Sequence, residues 1–235
     1  MTKAITTRWI GMKGADAAFQ GYLALPPAGK GPGIVLFQEI FGVNGHIRAV
    51  VDQYARDGFV VLAPDVFWRH APKVELGYEG ADRERGIELM KKLSLDDMVA
   101  DVKAAVSTLR AQPEVTGKVG AVGYCLGGRL TYLAAANTDL DAASAWYGGG
   151  IHDMLDQVPR IKAPIQFHYA ENDHGIPLTA VDKVREAVTG RQAEVFVYPG
   201  AQHGFNCWDR ASYDPRSAAL AHGRTLAFFA EKLYA

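Results

Sequence analysis

The sequence predicts an α/β protein built on a mostly parallel central sheet with helices on both faces. Three observations carry this reading. Apolar runs of strand length alternate with amphipathic helical segments along most of the chain. Some runs, such as Gly33-Ile34-Val35-Leu36-Phe37, are apolar throughout, as strands covered on both faces must be. No repeat, low-complexity stretch or Pro/Gly/Ser-rich linker interrupts the pattern, so residues 1–235 read as a single domain.

Taken in order, Thr6 to Ile10 and Phe19 to Leu25 are short, partly alternating segments that stop at Pro26-Pro27, which suits a strand pair at a sheet edge. The strand at 33–37 follows. Ile47, Val50, Val51 and Tyr54 then fall at i, i+3, i+4 and i+7, giving a helix that Asn44 can cap and Gly58 ends. Phe59 to Leu62 is a second buried strand, closed by Pro64. Residues 66 to 93 read as charged and irregular, with Arg69, Lys73, Arg83, Arg85, Lys91 and Lys92 among acids. Ser94 to Leu109 is the clearest helix: Leu95, Met98, Val99, Val102, Val106 and Leu109 make one stripe, and Ser94-x-x-Asp97 resembles a capping box. A strand at Lys118 to Val122 leads into a helix through Ala136. Strands at 142–147, 165–169 and 194–198 and helices at 179–188 and 215–233 complete the alternation. In such sheets, ligands bind outside the carboxyl ends of the strands.

The net charge of −1, from 25 basic and 26 acidic side chains, gives no electrostatic footprint for nucleic acid or an anionic membrane. The expected partner is a small molecule, and the expected assembly a monomer or small homo-oligomer. The N-terminus lacks the apolar stretch of a secretory signal, and no apolar run approaches the ~20 residues that span a bilayer. Only two cysteines occur, Cys125 and Cys207, too few for a disulfide scaffold. A soluble cytoplasmic protein is the expectation, and Cys125 must then be a free thiol.

Gly123-x-Cys125-x-Gly127 is the nucleophile-elbow pattern of the α/β-hydrolase fold, with cysteine where serine is commoner. Glycine on either side relieves crowding in a turn this tight. The elbow puts Cys125 at a helix N-terminus, where unpaired amides and the helix dipole favour a thiolate. The N–H of Leu126 would point at a developing oxyanion. Alone, the pattern is more often a tight turn with a buried structural cysteine. Downstream, Asp173 sits just past the strand at 165–169 and His203 just past that at 194–198, in the order nucleophile, acid, histidine. Glu171 is an alternative acid. His174 directly follows Asp173, so it is poorly placed to lie between that acid and the elbow. The reading is a Cys125–His203–Asp173 triad.

Gln38-Glu39-Ile40-Phe41-Gly42-Val43-Asn44, Gly123-Tyr124-Cys125-Leu126-Gly127-Gly128, Asp173-His174 and Gly200-x-x-His203-Gly204-Phe205 together resemble the dienelactone hydrolase (carboxymethylenebutenolidase) family over essentially the whole chain. The resemblance implies hydrolysis of small ester or lactone bonds through a thioester acyl-enzyme, with no cofactor or metal. It implies that Glu39 takes the thiol proton when a substrate carboxylate displaces it. It also implies that the Ile40 N–H is the second oxyanion donor and that Arg83, or its neighbour Arg85, grips the substrate carboxylate. Phe41, Tyr147 and Phe205 are expected to line the pocket, with Trp146 and Trp208 as further candidates. The sequence departs from the family where a second arginine is expected four residues after the histidine, at Cys207. The family's pocket tyrosine and tryptophan fall at Ile87 and Met90.

Three rivals compete. Metal hydrolysis could draw on His152-Asp153 or His168 with Asp173-His174, but no H-x-x-x-H or C-x-x-C spacing occurs. A thiol redox or peroxide-sensing protein would pair Cys125 with Cys207, yet has no use for Asp173 or His203. A non-catalytic binding protein on the same fold would be expected to lose a triad residue, and none is lost.

Overall fold

The computed structural model describes residues 4–14 and 16–234. Eight strands form one sheet in the order β1-β2-β4-β3-β5-β6-β7-β8. They are β1 (Thr6–Lys13), β2 (Ala18–Leu25), β3 (Gly31–Phe37), β4 (Val60–Pro64), β5 (Val115–Tyr124), β6 (Ala142–Trp146), β7 (Ile165–Ala170) and β8 (Ala193–Tyr198). β1 pairs antiparallel with β2, and β2 antiparallel with β4; every other pairing is parallel. The expected edge pair is therefore present, and the apolar runs at β3 and β4 are fully buried. The helices are α1 (Gly45–Arg56), α2 (Gly80–Lys91), α3 (Leu95–Arg110), α4 (Leu126–Asn137), α5 (Leu178–Ala187) and α6 (Pro215–Leu233), with two short 3-10 turns between β6 and β7.

Local chemistry explains most boundaries. Asn44 caps α1 through its side-chain oxygen, which accepts the Ile47 N–H at 3.1 Å. Ser94 accepts the Asp97 N–H at 3.1 Å, as expected of a cap, but the Asp97 carboxylate accepts from the Ser94 hydroxyl at 2.6 Å. In a full capping box the acid reaches back to the cap's main-chain N–H, so this resemblance is only half met. Pro64 belongs to β4 instead of ending it. It lies beyond the last β3 partner, Leu62, so its missing N–H costs no bond on that side.

The irregular reading of 66–93 needs correction, because it contains α2. That helix buries only Gly86 and Leu89, and Gly86 packs directly on the main chain of Ile40. A helix docked through a glycine has no apolar stripe to detect. Arg69 is also no solvated charge. Its guanidinium meets Asp101 at 2.6 Å and Asp97 at 3.3 Å, tying this segment to α3. No helix among the described residues is long and apolar enough to cross a membrane.

Candidate active site

β5 ends at Tyr124 and α4 begins at Leu126, so a single residue, Cys125, makes the turn. It does so at φ 56° and ψ −113°, a conformation that side-chain-bearing residues rarely adopt. The glycines around it are sterically required: a Cβ on Gly123 would collide with the Gly127 carbonyl, on Gly127 with the Phe37 carbonyl, and on Gly128 with the Trp146 carbonyl. Close approach of three strand ends to the start of α4 thus raises Cys125 above the sheet. Its N–H donates to the Trp146 carbonyl at 3.0 Å. The thiol is free and half-buried.

Asp173 lies in the loop after β7, 5% exposed. Its Oδ1 accepts from the N–H groups of Gly175 and Ile176 at 2.9 and 3.1 Å, which fixes the carboxylate. Its Oδ2 accepts from His203 Nδ1 at 2.6 Å. His203 follows β8 in a loop turned by Gly200 and Gly204, both at positive φ. Cys125 lies beside the same ring. Burial disfavours the imidazolium, but when Cys125 is charged that charge and the Asp173 hydrogen bond outweigh it and lift His203 to about 10. Cys125, His203 and Asp173 thus lie at one edge of the sheet, with the histidine and the acid hydrogen-bonded. Glu171 is occupied elsewhere, accepting the Gly200 N–H at 2.8 Å, and His174 is exposed.

Glu39, past the end of β3, is 1% exposed. Its Oε1 accepts from Arg210 Nη1 at 3.3 Å, while Oε2 has no hydrogen-bond partner among the described residues. Burial raises its proton affinity, with Arg210 and then His203 opposing. Arg210 was not singled out in the sequence. Its guanidinium lies 5.6 Å from the Phe41 ring centroid and 5.8 Å from that of Tyr78, and it packs so closely on Gly204 that a Cβ there would collide with it. One signal could have found it: Arg210 is the sole arginine or lysine between β8 and α6. It supplies a cation from seven residues after His203, whereas Cys207 stands four residues after.

Leu126 is the first residue of α4, where helical N–H groups lack intrahelical partners, and Ile40 lies in the loop after β3; among the described residues neither N–H donates to a main-chain carbonyl of a turn or loop. Phe41 is buried edge-on to Tyr78 at 4.6 Å. The stretch carrying Tyr78 is strapped over Phe41 by Leu76 N–H to Phe41 carbonyl at 2.9 Å. Tyr147, at φ 34°, presents its ring edge-on to His203 with centroids 5.1 Å apart.

Phe205 and Trp146 are fully buried and pack on each other, with Phe205 also against Tyr147. Trp208 is 42% exposed and meets His46 edge-on instead. Arg83 is exposed on α2, about one turn before Gly86, and makes no side-chain hydrogen bond or ion pair among the described residues. Arg85 is engaged at the surface with Glu88 at 3.1 Å. Cys207 is fully buried beside Tyr78, and burial pushes its thiol up to about 12, which makes it a poor partner for thiol exchange. His168, considered as a ligand, spends both ring nitrogens on Tyr198 and Thr225. No cluster of three metal-ligating side chains occurs among the described residues.

The sequence profile of the dienelactone hydrolase family matches residues 19–233. A carboxymethylenebutenolidase of Pseudomonas putida is 36% identical over 227 residues, covering 95% of this chain and 96% of that one. Another, from Pseudomonas sp. strain P51, is 34% identical over 209 residues, with 88% of each chain covered. Among solved structures, a chain from Klebsiella pneumoniae superposes with a TM-score of 0.88 at 30% identity, covering 97% of this chain and 99% of that chain. A dienelactone hydrolase from Anabaena variabilis shares the fold at a TM-score of 0.73 and 17% identity, covering 97% and 99%.

Proposed function

We infer the chemistry from one premise: this chain belongs to the dienelactone hydrolase family and is a carboxylic ester hydrolase. Its substrates are small esters or lactones, which Cys125 attacks at the carbonyl carbon. The observation that supports this most directly is the His203 ring, which lies beside Cys125 and has its Nδ1 held 2.6 Å from the buried Asp173 carboxylate.

The amides of Leu126 and Ile40 stabilise the tetrahedral oxyanion. Its collapse expels the alkoxide or enolate, which takes a proton from the His203 imidazolium, and leaves a thioester on Cys125. That step removes the thiolate charge, one of the causes that keep His203 protonated. The neutral imidazole, oriented by Asp173, then takes a proton from water, whose oxygen attacks the thioester and releases the acid.

Glu39 and Arg210 govern when the thiolate forms. In the resting site they hold each other; a substrate carboxylate binding Arg210 frees Glu39, whose burial already favours the protonated form, to take the proton of Cys125. Delaying the thiolate until substrate arrives protects it from oxidation. Arg83, exposed on the helix that covers Ile40, is a second contact for a substrate reaching out of the site.

The test is hydrolysis of p-nitrophenyl acetate by Cys125→Ala and His203→Ala. Loss of turnover in the first, and a covalent acyl adduct on the intact mass of the second, are expected. Activity that survives Cys125→Ala would overturn the mechanism.

A further inference from the structure

Behind the site runs a buried chain of hydrogen bonds that the proposed chemistry does not use. On α6, Arg224 donates from Nη1 to the Tyr198 hydroxyl at 3.1 Å, with its guanidinium 4.4 Å from the Phe196 centroid. The Tyr198 hydroxyl is 2.8 Å from His168 Nδ1, and His168 Nε2 is 3.2 Å from Thr225 Oγ1. The Thr225 hydroxyl is 2.9 Å from Ser144 Oγ, which accepts from Trp146 Nε1 at 3.1 Å. His168, Thr225 and Ser144 are wholly excluded from solvent.

Both ends of this chain can only donate: Arg224 to Tyr198 and Trp146 to Ser144. Burial, helped by the Arg224 charge, lowers His168 to about 3, so the ring stays neutral, with one nitrogen donating and the other accepting. His168 thus links the Tyr198 and Thr225 hydroxyls through both ring nitrogens. The titratable or charged groups facing His168 are Tyr198 from β8 and Arg224 from α6.

What this chain holds is the corner at the end of β6. The Trp146 carbonyl accepts the Cys125 N–H at 3.0 Å, and the His168 carbonyl accepts the Tyr147 N–H at 2.7 Å. The His168 ring lies against Trp146, with centroids 4.9 Å apart. Tyr147 sits at φ 34° with its ring against His203. A non-glycine residue persists in that region only where its surroundings over-determine it. Phe205, two residues after His203, packs on Trp146, Tyr147 and Tyr198 at 5.7, 5.2 and 5.1 Å. Residues ordered by His168 thus border both Cys125 and His203.

We propose that His168 is a positioning residue: its hydrogen bonds to Tyr198 and Thr225 lock the Trp146–Tyr147 corner and so set the alignment of Cys125 with His203. This rests on the nucleophile reading above. The test compares Thr225→Val, which keeps the shape but removes the hydroxyl that pairs with His168, with Thr225→Ser, which keeps the hydroxyl. Two quantities are read: kcat and KM on p-nitrophenyl acetate, and the pH dependence of Cys125 alkylation by iodoacetamide, located by peptide mapping. The groups facing His203 in that titration are Cys125, Asp173, Glu39 and Tyr147.

Misalignment of this kind is expected to cost Thr225→Val roughly tenfold or more in kcat with KM little changed. The alkylation midpoint should move by about half a pH unit or more, and Thr225→Ser should restore both. A Thr225→Val enzyme with wild-type kcat and midpoint, whatever its melting temperature, would overturn the proposal, as would a Thr225→Ser enzyme equally impaired. Should Thr225→Val not fold, Tyr198→Phe cuts the chain on the other side of His168 and is judged by the same two readouts. Activity in Cys125→Ala would sink the nucleophile reading, whereas the alkylation midpoint reports on the corner either way.

Discussion

Replacing Arg210 by leucine leaves Glu39 with a charge and nothing to balance it. The carboxylate is 1% exposed, one oxygen already lacks a partner, and the other would lose its bond to the guanidinium. Breaking a fully buried pair costs roughly 3–5 kcal/mol; the lower end, about 3, applies here because the arginine side chain is 18% exposed. Glu39 can escape that cost by protonating, so loss of the guanidinium, which opposes the upward push of burial, should raise its proton affinity further. The sign follows from linkage. An acid whose native pKa exceeds its unfolded value binds more protons in the native state between the two, so stability falls as pH rises through that window and is level above it. The deficit of Arg210→Leu against wild type should therefore be largest at pH 8 and shrink steadily towards pH 5. Urea unfolding at intervals across that range measures it, with Glu39→Gln/Arg210→Leu as the partner in a double-mutant cycle. The double variant has no buried acid to titrate, so its deficit should be smaller and independent of pH. A deficit for Arg210→Leu that stays constant from pH 5 to 8, or one that Glu39→Gln does not relieve, would refute the buried-charge argument.

The other expectations concern activity, the elbow and the histidine. Arg210→Leu should lower kcat/KM on carboxylate-bearing esters by roughly tenfold or more beyond its effect on neutral esters, as loss of a charge-assisted bond implies, while Arg83→Ala should lower it less; steady-state kinetics on matched ester pairs decides. Gly127→Ala should destabilise by several kcal/mol or prevent folding, because its methyl would meet the Phe37 carbonyl, whereas Gly223→Ala, with open space around it on α6, should stabilise by about 0.5–1 kcal/mol. Thermal or urea unfolding separates the two. His203 is raised to about 10 from an ordinary 6.5 when Cys125 is charged, and the Asp173 hydrogen bond raises it in the resting thiol form as well, so its contribution to stability is full below 6.5 and lost as pH rises between 6.5 and 10. The stability advantage of wild type over His203→Gln, followed by urea unfolding at pH 6, 8 and 10.5, should fade at the highest value.

The alternation of apolar runs and helical stripes determined the layered sheet, because burial on both faces leaves strands with almost no polar residues and helices with one apolar side. Gly123, Cys125 and Gly127 likewise announced their turn, since only glycine tolerates the main-chain contacts found there. Asp173 and His203 were legible because parallel strands end on one edge, so position after a strand translates into position in space. Neither α2 nor Arg210 was readable in this way. Helix α2 docks through Gly86, a residue with no side chain to mark its buried face. The partner of Glu39 is 171 residues away along the chain, and Arg210 could reach it only once Gly204 left room for its guanidinium. Phe205 shows the converse: its place beside the histidine suggested a pocket wall, but the packing of Trp146, Tyr147 and Tyr198 around it turned it inward. Local spacing encodes which element a residue sits on. Which side chain fills a given space depends on the volumes and charges that other elements bring there, and only the folded chain decides it.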